Sequence, residues 1–73
     1  MENINAAILE AVSTRFEKCR EYCDSDWEAM GKAAHVFASV CASLVRCHFW
    51  AGAEFWAKCE LEAYTQQSNL TVT

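Results

Sequence analysis

A chain of 73 residues with 12 alanines, two glycines and no proline is one domain at most, and nearly all of it must be helical. That shortage of glycine and proline leaves little material for sandwiches of β-strands, phosphate-cradling loops or Gly-rich nucleotide motifs. Ten acids against six bases, a net charge of −4, leave no basic patch for a nucleic-acid backbone, and a hydrophobic fraction of 53% is too high for a disordered chain.

The first periodic segment covers residues 3 to 23, about the span expected of a first helix. Ile4, Ile8, Val12, Phe16, Cys19 and Cys23 recur at steps of three and four, so they share one helical face. Glu10, Ser13, Thr14, Glu17, Arg20 and Glu21 occupy the other. The clear punctuation comes next, at Asp24-Ser25-Asp26. Ser25 stands three residues before Glu28, the spacing of a capping box, and Asp26 and Glu28 then lie where a helix dipole favours negative charge. A second helix starts here.

Its end is harder to read. The stripe Trp27, Met30, Ala34, Phe37, Cys41, Leu44, His48, Ala51 or Gly52, Phe55 and Cys59 stays in phase throughout. The expected architecture is therefore all-α: a hairpin of helix 3–23 and a long helix 26–66, either straight or kinked near Gly52, followed by a flexible polar tail, 67–73. A helix of 26–66 would be about 60 Å long, far beyond a compact domain of this length. Helix 1 is used up opposite Val45, so the overhang from Arg46 onward is expected to pack on a second copy, making a homodimeric bundle. The alternative is a three-helix bundle with a corner between Cys47 and Ala53.

No cofactor, metal site or catalytic constellation is expected, and the chain does not read as an enzyme. Cys19 and Cys23 could share a metal ion, but a single hairpin gathers no further ligands, and buried apolar cysteines are the commoner case. Cys47 and His48 are adjacent, so on a helix they point about 100° apart. His35 and Ser39 share a face without a carboxylate to orient the histidine. The charge-free run from Ala33 to Val45 is 13 residues, short of a membrane span.

The most specific feature is a short repeat, Phe49-Trp50-Ala51-Gly52-Ala53-Glu54 followed by Phe55-Trp56-Ala57-Lys58-Cys59-Glu60. Together with Arg46 and His48 it supplies the candidate interface: Arg46, His48, Phe49, Trp50, Phe55, Trp56 and Cys59. Trp50 is the single best anchor, since Trp and Arg dominate interface hot spots. The functional expectation is a small acidic protein acting by protein–protein contact, as an inhibitor or regulator of the kind phages carry against host proteins. Its partners would be a protein and a second copy, with no nucleic acid and no membrane. A start without a basic, then apolar, leader and an odd count of five cysteines point to a cytoplasmic setting. A zinc-stabilised cysteine-rich module and a small lysis-type membrane protein are the competing classes.

Overall fold

Three helices and no strand make up residues 3–71, the part of the chain that the computed structural model describes: α1 (Ile4–Arg20), α2 (Asp26–Arg46) and α3 (Trp50–Thr71). The first two starts have a chemical cause. The Asn3 side chain accepts from the backbone N–H groups of Asn5 and Ala6 at 3.0 and 3.4 Å, which caps α1. The Ser25 hydroxyl accepts from the N–H of Glu28 at 3.1 Å, and the Glu28 carboxylate reaches back to the N–H of Asp24 at 3.3 Å. The capping box thus closes one residue earlier than its usual form. Arg20 ties the two helices together: its Nε donates to Asp26 at 2.7 Å and its terminal nitrogen to the carbonyl of Cys23 at 2.7 Å.

The long helix of 26–66 does not form. The chain reverses at Cys47-His48-Phe49, and α3 folds back along α2. The break is a Schellman motif without glycine. His48 takes the left-handed conformation, φ 61°, its N–H donates to the carbonyl of Val45 at 3.0 Å, and the N–H of Phe49 donates to that of Leu44 at 2.9 Å. The expected kink at Gly52 is likewise replaced. Gly52 lies inside α3, where a Cβ would collide with the ring of Phe49 and press on Leu44. Its missing side chain lets that ring fold over the first turn of α3. α3 runs on through the polar segment from Gln67 as far as Thr71; residues 1, 2, 72 and 73 lie outside the described residues.

α2 and α3 pack most extensively. Phe37 stacks on Trp56 at 5.7 Å between ring centres, the Cys41 thiol donates to the carbonyl of Ala53 at 3.3 Å, and at the far end Gln67 donates to the carbonyl of Trp27 at 3.1 Å. These three contacts define one antiparallel register. Of the overhang expected to pack on a second copy, Phe55, Trp56, Cys59 and Ala63 pack instead against α1 and α2, while Arg46 to Trp50 stay exposed. α1 closes the other side through Ile8, Val12 and Cys19, which meet Ala29, Met30, Ala33, Ala34 and Phe37 of α2 and Cys59 and Ala63 of α3 in one core.

That core is built largely from small side chains: Ala29, Ala33, Ala34, Ala63 and three cysteines line it beside Val12, Ile8, Met30 and Phe37, so the helices approach closely. Of the three Trp, two Tyr and four Phe, only Phe37 is buried. The accessible surface is 5077 Å², where a compact monomer of 8.2 kDa exposes about 4500 Å². The radius of gyration, 12.5 Å, likewise exceeds the roughly 11 Å of a compact chain this long.

Candidate functional site

The seven residues expected at an interface fall into two places. Arg46, His48, Phe49 and Trp50 gather at the α2–α3 corner, all exposed. Phe55 and Trp56 lie about one and a half turns further along α3, half-buried and edge-to-face at 5.1 Å, with Trp56 stacked on Phe37. Cys59 is completely buried. It belongs to the interior of the protomer, because the fold-back that ended the long helix laid α1 and α2 over it.

The corner has a defined geometry. α1 runs alongside α3 with Asn5 and Leu9 beside Lys58 and Leu61, so its start lies well short of the corner. The end of the α2–α3 pair is left bare. There Val45 is 42%, Phe49 57% and Trp50 61% exposed. These rings are held in place. The left-handed turn at His48 turns its imidazole onto Trp50, edge-on at 5.5 Å, while Gly52 seats Phe49. An L residue in that conformation costs roughly 1 kcal/mol, and strain of this kind concentrates at functional sites. The Glu54 carboxylate nearby is engaged by Lys58 at 3.3 Å, which leaves Arg46 as the free charge at the tip among the described residues.

A second feature was not legible in the sequence. A groove of about 430 Å³ runs between α1 and α2, with Phe55 and Trp56 at its base. Ala7, Ala11 and Thr14 form its α1 wall, Val36 and Val40 its α2 wall, and Glu10 and Arg15 its charged rim. Val36 and Val40, at i,i+4, share an apolar face of α2 apart from the stripe through Phe37 and Cys41. That this face borders an open groove depends on the angle at which α1 crosses, which spacing alone does not encode.

The cysteines do not form a site. All five are free thiols: Cys19, Cys23 and Cys59 are buried, Cys41 is half-buried and Cys47 is exposed. The Tyr22 hydroxyl donates to Cys19 Sγ at 3.3 Å, and that contact holds the phenol pKa above its ordinary value. Burial pushes the thiols of Cys23 and Cys59 up in the same direction. Among the described residues no three of His, Cys, Asp and Glu come together where they could hold a metal ion, and no helix is long and apolar enough to cross a membrane. Compared with known protein families, curated proteins and solved structures, the chain shows no significant match.

Proposed function

We propose that this is a small acidic helical module that acts by binding another protein through the α2–α3 corner, as a regulator or inhibitor of its target. One observation carries the reading. Val45, Phe49 and Trp50 stand exposed on a turn that keeps His48 in a costly conformation, with His48 packed edge-on against Trp50. A bare aromatic pair on a rigid support loses little entropy on binding, which is what an interface anchor requires. The core fits the same reading, because Phe49 and Trp50 stay exposed while Phe37, Phe55 and Trp56 of the same two helices pack on it.

The chemistry of the partner follows from charge. A net charge of −4 favours a basic protein surface, and Arg46 at the tip supplies one cation for a carboxylate within it. The comparison with phage-carried inhibitors of host proteins is an analogy of size and charge. Five free thiols fit a reducing compartment such as cytoplasm.

The test is a quantitative pull-down with Trp50→Ala against wild type, with Trp27→Ala as the control, since Trp27 is comparably exposed at the other end of the molecule. Loss of a partner with Trp50→Ala but not with Trp27→Ala supports the corner. A hot-spot tryptophan costs 2 kcal/mol or more on truncation, so retained partner should fall at least about thirtyfold in affinity. An unchanged partner set sinks the reading.

A further inference from the structure

The groove between α1 and α2 lies on a different face from the corner, and its rim is self-complementary. Ala7, Ala11 and Thr14 follow one another at steps of four and three, so α1 presents a shallow, almost uncharged wall. Glu10 and Arg15 are five residues apart, about 140° around a helix, and therefore flank this stripe on opposite sides. Neither makes an ion pair or hydrogen bond among the described residues. Two free charges of opposite sign thus border an apolar groove about 430 Å³ in volume.

We propose that a second copy of the chain fills this groove, with its α1 parallel to the first about a two-fold axis. Orientation follows from the charges. In a parallel two-fold pair, the left flank of one helix meets the right flank of the other, as at the g and e positions of a parallel coiled coil. Glu10 of each copy then meets Arg15 of the other, twice over. An antiparallel pair would bring like flanks together, setting Glu10 against Glu10 and Arg15 against Arg15.

The packing agrees with this choice. The short link 21–25 makes α1 antiparallel to α2, so a second α1 lying parallel to the first is also antiparallel to α2. α1 and α2 of both copies then alternate in direction around a four-helix bundle. The two α1 helices sit on its diagonal, where Ala7 and Ala11 permit close approach. Val36, Val40 and Phe55 gain cover from the incoming helix.

Charge names the occupant. A foreign helix would have to carry one acid and one base at the same five-residue offset. This chain carries them already.

The test reads oligomeric mass by light scattering over a concentration series, with helix content followed by circular dichroism. Wild type should be a dimer that dissociates on dilution. Glu10→Lys alone and Arg15→Glu alone each place like charges together twice, and each should weaken dimerisation by about tenfold or more. An equimolar mixture of the two single variants restores both opposite-charge pairs and should regain the dimer, as should the double variant. Rescue by mixing cannot come from a variant that fails to fold. A wild type that stays monomeric throughout overturns the proposal and leaves the groove to a foreign helix. A dimer indifferent to both single reversals overturns the geometry. Trp50→Ala should leave the dimer intact, so this test and that of the corner fail separately.

Discussion

His48 is held in the left-handed region by the hydrogen bonds on either side of it: its own N–H to Val45, that of Phe49 to Leu44, and behind them Cys47 to Ser43 at 3.2 Å. The turn therefore exists in spite of the side chain at its centre. Glycine there would remove roughly 1 kcal/mol of strain at the expense of the His48–Trp50 contact, which on an exposed surface lies at the low end of aromatic pair energies, about 0.5 kcal/mol. His48→Gly should melt a few degrees higher than wild type, given about 4–8 °C per kcal/mol for a domain of this size. His48→Val should melt lower, because a β-branched residue fits that conformation worst. Thermal denaturation of the three proteins checks the order, and identical midpoints would mean that the turn is not under strain. Faster depolarisation of Trp50 fluorescence in His48→Gly would accompany the gain in stability.

The three elements differ in how firmly they are attached. α2 and α3 share a long antiparallel contact, whereas α1 is fixed at its C-terminal end by Arg20, which joins Asp26 and the carbonyl of Cys23 across the link. Both partners of that ion pair are about half exposed, so solvent discounts it to the range of a surface pair, and the carbonyl bond adds a share of its own. Arg20→Met should therefore cost about 1 kcal/mol. Urea unfolding should show a lower midpoint at unchanged slope, since the surface exposed on unfolding is the same. The first helix and the Ser25 start were legible because periodicity and capping chemistry are local. Arg20 was read as a residue of the polar face, because its partners become neighbours only once the link has folded. The reversal at 47–49 was hidden for a related reason. Antiparallel helices each turn an apolar face toward the other, so the stripe through Phe37 and Cys41 resumes at Phe55 and Cys59 as though no break lay between. The segment also lacks the glycine that usually marks such a stop.

For the molecule as a whole, small side chains inside and large ones outside have a consequence in pH. Part of the interior is thiol rather than hydrocarbon, and burial raises the pKa of Cys23 and Cys59 above their ordinary value of 9.0. The folded chain then keeps protons that the unfolded chain gives up. Well below that value both states hold them and stability is unaffected; as pH approaches and passes it the unfolded state is deprotonated first and is favoured. The contribution is thus complete at neutral pH and lost in alkali, the opposite of a paired carboxylate. Tyr22, raised by its bond to Cys19, extends the loss above pH 10. Urea midpoints from pH 7 to 10 should stay level and then fall, and Cys59→Ala should fall less steeply than wild type because one of the titrating thiols is gone. At neutral pH a thiol reagent should modify Cys47 first and reach Cys19 and Cys59 only through unfolding, since both are completely buried. Equal alkaline slopes in wild type and Cys59→Ala, with Cys59 labelled as fast as Cys47, would show that the closely packed thiol interior does not persist in solution.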